Sequence, residues 1–461
     1  MSAKSITSSI PITQPIRIPF DRTSKRYKVA ALLAYLGLFT VLAPDAIRYS
    51  MSWWGWSAVV IALTIWTVVA LAIKSPAKTL ARIPLPLALL MLLMLLSVFW
   101  SQYQAITLVT LGLQITASLF ALFLANQFSW RQLLHILSNT LRFLLVSSLL
   151  IEIYAALAGP IAPLFPNYTG SEPPHASYLW VQGNLFEFER IQGIMGNANL
   201  LAFTAVLGAL LFLIELIVTD RSKWLPGLSL ALALVMAFLA KSAGMTVAVG
   251  LIAFAALVAI LSEGRPKPTR HRIYRIALLV LGIATLFGVI FRDWVFDLLG
   301  RSPDATGRFE IWEKVFGLIW EKPLEGWGWT GYWIPGTEPF EGLIAINGVP
   351  MYQAHNAYLD IWMQLGILGL GLLIWLMIAV FARLWAVAVR HTSPLYLYPL
   401  FGFLVIAAQS LTESRLLIEA GWVLLVLLAT KSREPFAELE PLGRTPKRLK
   451  LLRLPLRILG R

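Results

Sequence analysis

The chain has no cysteine, so disulfides, thiolate metal sites and cysteine nucleophiles are excluded. Charge is scarce: Asp, Glu, Lys and Arg make up 13% of the 461 residues, against roughly 25% in soluble domains. The sequence contains no phosphate-cradling Gly-rich loop, no His/Glu metal spacing and no Gly-x-Ser-x-Gly elbow, which removes the usual signatures of nucleotide hydrolysis, zinc hydrolysis and serine esterases. Residues 1–26 are rich in Ser, Thr and Pro without the apolar stretch of a cleavable signal peptide. The first apolar span is expected to act as the insertion signal.

What is abundant is apolar side chain, at 58% of residues with a mean hydropathy of +0.72. A helix needs about 20 such residues to cross a hydrocarbon core of about 30 Å. Twelve runs qualify, centred on 29–43, 53–73, 83–100, 105–125, 133–157, 199–218, 224–240, 245–261, 274–291, 367–389, 395–411 and 416–430. Being continuous rather than alternating, they predict an all-α polytopic bundle of about 12 transmembrane helices, not a barrel. The expected organisation is an N-terminal tail 1–28, a bundle 29–430 and a basic tail 431–461.

The net charge of +14 would suggest nucleic acid in a soluble protein. In a membrane protein, Lys and Arg concentrate in cytoplasmic loops. With both termini cytoplasmic, only nine of the 38 basic residues fall outside: Arg48, Arg190, Lys241, Arg292, Arg301, Arg308, Lys314, Lys322 and Arg415. The basicity is therefore read as an orientation signal, and nucleic acid drops out as a partner. The tail 443–461 interleaves Leu with Lys and Arg, but Pro446 and Pro455 interrupt it, which favours a solvated tail over a lipid-bound helix.

Two outer loops are long, 159–193 and 291–360, and long loops in compact bundles are usually functional or disordered. Their aromatic content argues for order. The first carries Glu172, His175, Glu187 and Glu189, suited either to reading an acceptor or to covering a cavity. In the second, 308–320 reads as an amphipathic helix lying along the interface, with Phe309, Trp312, Phe316 and Ile319 on its apolar face. The following Glu325-Gly-Trp-Gly-Trp-Thr-Gly-Tyr-Trp reads as an interfacial aromatic belt or as a platform for sugar rings.

Polar residues gather at the outer span ends: Arg190, Asn197, Asn199, Lys241, Arg308, His355, Asn356, Glu413 and Arg415. Asn197 and Asn199 open a span as helix N-caps would, and Glu413 and Arg415 are expected to pair with each other. Asp293 and Asp297, four apart, read as surface charge rather than a metal site.

These residues sit in an ordered series: Gly193-Ile-Met-Gly-Asn197-Ala-Asn199-Leu-Leu-Ala202; Lys241-Ser-Ala-Gly; Thr306-Gly-Arg308-Phe-Glu-Ile-Trp312; Pro323-Leu-Glu-Gly326-Trp-Gly328; His355-Asn356-Ala-Tyr-Leu359; Gly366-Ile-Leu-Gly369; and Leu411-Thr-Glu413-Ser414. Across 190–430 the series resembles the bacterial O-antigen ligase and polysaccharide polymerase superfamily. The resemblance implies transfer of a glycan from a polyprenyl-diphosphate carrier to an acceptor hydroxyl of a glycan, lipid or protein, on the periplasmic face of the cytoplasmic membrane, metal-independent, inverting and without cofactor. It implies that Arg308 binds the diphosphate and that His355 is the general base. Where the family commonly has Ser-Arg-Gly or Ser-Lys-Thr, this chain has Ala240-Lys241-Ser242-Ala243-Gly244. In one register Lys241 keeps the cation; in the other Ala243 replaces it and Arg190 is the substitute. Asn197, Asn199, Asn356, Glu413 and Arg415 would support the substrate. Ligases and polymerases share this pattern, and Lys241-Ser242 leans toward polymerases. The alternative reading, a transporter of a small or lipid-linked solute, calls for ionisable groups near mid-membrane; only Arg142, Glu152, Glu215 and Glu419 qualify.

Overall fold

The computed structural model describes residues 24–74, 76–165, 176–219, 222–298, 307–346, 348–390 and 394–434. Most of both expected tails, together with Glu172, His175, Arg301, Thr306 and His391, lies outside these residues. The described chain is helical: α1 (Lys25–Leu42), α2 (Pro44–Ile73), α3 (Ala77–Leu80), α4 (Leu85–Leu96), α5 (Gln104–Gln127), α6 (Trp130–Ala158), α7 (Ala198–Val218), α8 (Trp224–Leu239), α9 (Ala243–Ser262), α10 (Lys267–Ile290), α11 (Arg292–Leu298), α12 (Arg308–Glu321), α13 (Ala357–Ala388), α14 (Leu397–Gln409) and α15 (Glu419–Lys431). Its strands are a two-residue antiparallel pair, β1 (Ala345–Ile346) and β2 (Val349–Pro350).

Each of the twelve apolar runs falls on one of these helices. Seven, namely α2, α5, α6, α7, α9, α10 and α13, are long and apolar enough to cross a membrane, so the chain is an all-α multi-pass membrane protein. Local chemistry sets several starts. Ser24 caps α1, Ser129 and Gln132 form a capping box on α6, and Asn197 and Asn356 cap α7 and α13.

Lipid tails are as apolar as leucine, so helix association in a bilayer rests on close packing and interhelical hydrogen bonds. Both are present. The α15 segment from Gly421 to Lys431 is buried throughout, and its Trp422 donates to Ser118 of α5 at 2.9 Å. Tyr398 of α14 donates to the Trp130 carbonyl of α6 at 2.5 Å. Arg142 of α6 reaches Ser229 of α8 at 2.8 Å and ion-pairs with Glu215 of α7. By contrast, α10 has no buried residue and stands at the edge of the bundle.

The expected span 367–389 falls on the longer, C-terminal part of α13, whose first nine residues precede a break at Gly366 (φ 65°, ψ −170°). A break frees backbone groups that must find partners, and the aromatic loop supplies them. Trp327 and Gly328 donate to the carbonyls of Met363 and Gln364 at 3.0 and 2.8 Å, and Ile367 donates to Pro323 at 3.0 Å. The Gln364 amide oxygen takes the Thr330 and Gly331 amides, each at 2.9 Å. A Cβ on Gly366 would stand 1.9 Å from the Leu324 oxygen. Gly366→Ala is therefore expected to lower stability by at least about 1–3 kcal/mol from φ alone, read as a drop in the thermal midpoint of purified protein.

This loop corrects one expectation. Trp327, Trp329 and Trp333 are buried, at 7%, 0% and 1% exposure, so the loop is neither a belt nor an open platform. Trp327 and Trp333 form a second core with Tyr103, Phe340, Ile344 and α12, while Trp329 joins the main one. The face of α12 is corrected as well. The helix buries Ile311, Val315, Leu318 and Ile319, while Phe309, Phe316 and Trp320 point outward. Aromatic residues on both sides of α12 made the stripe ambiguous, and packing on Met363 and Tyr103 selected the aliphatic one.

Candidate active site

One end of the bundle collects the C-termini of α6, α8 and α14 and the N-termini of α7, α9, α13 and α15. Three segments meet there: the loop 190–199, the loop 353–360 and the turn 410–419. Glu413 is their common centre. Its carboxylate is 6% exposed and receives four side chains. Asn199 Nδ2 donates to Oε1 at 2.7 Å, and Arg308 Nη2 reaches the same oxygen at 3.4 Å. Gln353 Nε2 donates to Oε2 at 3.2 Å, and His355 Nδ1 lies 3.0 Å from it. Burial alone would push the Glu413 carboxyl up, but His355 and Arg308 outweigh it and hold the group down at about 2.

The network fixes its own polarity. A carboxylate only accepts, so His355 presents Nδ1–H to Glu413 and turns Nε2 away with its lone pair. His355 is 23% exposed and adopts φ 49°, a left-handed conformation that costs a non-glycine residue of order 1–3 kcal/mol unless its surroundings impose it. The surroundings do so. The Asn356 amide donates to Ser414 Oγ at 3.2 Å, and Ala354 donates to the buried Asp360 at 2.9 Å. Asp360 also receives Trp333 Nε1 at 2.8 Å and the Ser414 hydroxyl. Asp360, Gln353 and Ser414 were not foreseen as site residues, although a lone acid four residues after Asn356 at the start of an apolar helix was a usable signal.

On the other flank, Asn199 Oδ1 accepts from Arg190 Nη2 at 2.6 Å and from Ser242 at 3.0 Å. Arg190 Nε donates to the Ala240 carbonyl at 3.2 Å. Lys241 lies between these two contacts, exposed and with φ 44°. The backbone of Lys241 thus borders the same site as Arg190, and both register alternatives lead to one place. Asn197 serves as an N-cap, accepting from Asn199 and Leu200 at 2.8 and 3.2 Å. Asn356 does likewise for Tyr358 and Leu359 at 3.0 and 3.2 Å.

Arg415 departs from expectation. It ion-pairs with Glu419 rather than with Glu413, and Glu419 also takes Arg48 Nη2 at 2.5 Å. The sequence suggested pairing by proximity, but the tight turn 414–417 points the two side chains to different partners. Asp293 is exposed and pairs with Arg292 at 3.2 Å.

Residues 228–374 match the family described as O-antigen ligase. The likeness is to O-antigen ligases. A curated relative, the exopolysaccharide production protein ExoQ of Rhizobium meliloti (strain 1021), is 26% identical over 203 residues, which is 41% of this chain and 45% of the relative. The chain therefore spans less than half the length of that relative. Both findings support the O-antigen ligase and polymerase superfamily. The O-antigen ligase segment contains Lys241, Arg308, His355 and Asn356, while Arg190, Asn197, Asn199, Glu413 and Arg415 lie outside it.

The charges differ across the turn 410–419. Around Glu413 stand Arg190, Arg308 and, on the border, Lys241, so cations exceed anions. Arg308 is 24% exposed and touches Glu413 at only 3.4 Å, longer than the usual charge-assisted 2.7–2.9 Å. Its guanidinium is loosely held and accessible, as an anion-binding group must be.

Proposed function

We propose that the chain transfers a glycan from a polyprenyl-diphosphate carrier to an acceptor hydroxyl at the outer face of the bacterial cytoplasmic membrane. The observation that carries this reading is the convergence of Arg308 and His355 on the two oxygens of the buried Glu413 carboxylate. His355 Nε2 takes the acceptor's proton as its oxygen attacks the anomeric carbon, and the bond to the diphosphate oxygen breaks. The proton ends on imidazole, where Glu413 stabilises the imidazolium. Arg308, with Lys241 or Arg190, meets the charge that develops on the leaving diphosphate. These cations supply the countercharge, so the transfer is read as metal-independent, and a single displacement inverts the anomeric centre.

Orientation follows from charge. The opposite end of the bundle holds Lys74, Arg82, Arg131, Lys431 and Arg433, with Arg82 paired to Glu434 at 2.8 Å. The positive-inside preference makes that end cytoplasmic. With each of the twelve apolar runs read as a span, both termini lie inside and α12 lies at the outer interface.

Transport is the weaker reading because the ionisable groups within spans are engaged in holding the fold. Arg142 pairs with Glu215, Glu152 accepts from the Gln192 and Gly193 amides at 2.8 and 2.6 Å, and Glu419 pairs with Arg48 and Arg415.

Arg308→Ala is expected to lower transfer by about 10²- to 10³-fold, the scale of losing one donor to a developing anion. Arg308→Lys should recover part of it, since lysine keeps the charge without the bidentate fork. Membranes of a deletion strain should accumulate the lipid-linked glycan by mass spectrometry, and Arg308→Ala should not clear it. Clearance at the wild-type rate would remove Arg308 from the site.

A further inference from the structure

A cavity of about 700 Å³ lies on the other side of the turn 410–419, lined by α1, α2, α5, the aromatic loop and Arg415, and by neither Arg308 nor His355. Its polar end is built by Arg48, Arg415 and Glu419. Arg48 bonds Asp45 at 3.0 Å and Glu419 at 2.5 Å, and Arg415 pairs with Glu419. Two cations against two carboxylates leave this end without net charge, unlike the cationic surroundings of Glu413. A diphosphate has nothing uncompensated to bind here.

Aromatic faces surround the charged groups. Arg48 lies over Trp53 and Trp56, at 4.4 and 4.6 Å from the ring centroids, and Arg415 lies 5.2 Å from the Tyr332 ring. Four buried polar atoms on lining residues have no partner among the described residues: Arg48 Nε, Trp56 Nε1, Trp329 Nε1 and Thr330 Oγ1. A neutral end with planar charged groups and aromatic rings has the chemistry that recognises an uncharged sugar.

The rest of the cavity is mostly apolar, with Thr64, Thr67 and Gln114 interspersed, and follows the helices inward, past Val60 and Leu63 of α2 and Leu113, Ala117 and Phe120 of α5. From Trp53 to Thr67, α2 advances about 21 Å at roughly 1.5 Å per residue. That is more than one leaflet, which takes up about half of a hydrocarbon core about 30 Å across.

We infer that this cavity holds the acceptor, and that the acceptor is a lipid-linked glycan whose uncharged sugar sits at the Arg48–Glu419–Arg415 end while one hydrocarbon chain lies along α2 and α5. The inference rests on the transfer reading for the word acceptor; the site for a neutral glycolipid stands on the geometry. Donor and acceptor then approach His355 from opposite sides of the turn 410–419, and Tyr352 of the His355 loop lines the acceptor cavity.

The test uses the full chain with His355→Asn in nanodiscs, so that nothing turns over. The probe is hexadecyl β-glucoside with a diazirine in its chain, mapped by peptide mass spectrometry after irradiation. Labels are expected on α1, α2 and α5. Unlabelled hexadecyl glucoside should displace them at a concentration about tenfold below that needed for hexadecanol or hexadecyl phosphate. Ala117→Trp and Thr64→Trp, which fill the apolar length from different helices, should each reduce labelling about tenfold while Arg48–Glu419 remains. Equal displacement by hexadecanol would show a chain site without sugar recognition. Better displacement by hexadecyl phosphate would show an anion site. Either result, or labelling indifferent to both tryptophans, overturns the inference. Because no transfer is measured, failure here leaves the transfer reading standing, and failure of transfer leaves the labelling result intact.

Discussion

His355→Asn is expected to lower glycan transfer by about 10²- to 10⁴-fold, the range a general base contributes, with the protein still folded and membrane-embedded. Asparagine is the informative replacement because it tolerates the left-handed backbone at φ 49° better than alanine does. A loss in the asparagine variant therefore reports missing chemistry, not released strain. His355 is partly exposed and outside both hydrophobic cores, so little packing goes with it. The measurement is the single-turnover rate in reconstituted vesicles alongside the thermal midpoint. An unchanged rate would exclude His355 as the base.

Glu413→Gln is expected to cost about 10³- to 10⁴-fold in rate, by a different route. An amide can turn its NH₂ toward Nδ1, which places the ring proton on Nε2 and removes the lone pair that takes the acceptor's proton. Replacing a tautomer-fixing carboxylate by its amide costs about 10⁴ in the serine proteases. Stability should fall as well. The folded group is held at about 2, below its ordinary 4.5, so the carboxylate's contribution is fully present above pH 4.5 and is lost as pH falls toward 2. That difference corresponds to an order of magnitude of about 3 kcal/mol. The midpoints of wild type and Glu413→Gln should differ by a constant amount above about pH 5 and converge toward pH 2. A constant gap down to pH 2 would mean that Glu413 is not held as the network requires.

Much of the architecture was legible because a bilayer demands long apolar helices: each of the twelve runs falls on a helix, and seven of those helices are long and apolar enough to cross a membrane. The family series also brought Arg308, His355, Asn199 and Glu413 into view. Less legible was how they are wired. Glu413 meets Asn199, Arg308 and His355 across separations that no local pattern encodes, and the sequence suggested the nearer Arg415 as its partner. Arg48 was read only as an outer cation, yet besides Asp45 it binds Glu419, 371 residues away. The glycine–tryptophan loop looked interfacial by composition. Its burial depends on the break at Gly366, whose unpaired backbone groups draw the loop inward.

The transfer itself is tested most directly with purified protein in vesicles, a polyprenyl-diphosphate-linked glycan and a lipid-linked acceptor, followed by mass spectrometry of the lipid fraction. The account predicts a new glycosidic bond and free polyprenyl diphosphate in equal amounts, both lost in His355→Asn. Donor recovered intact, or moved across the bilayer without a new bond, would contradict it.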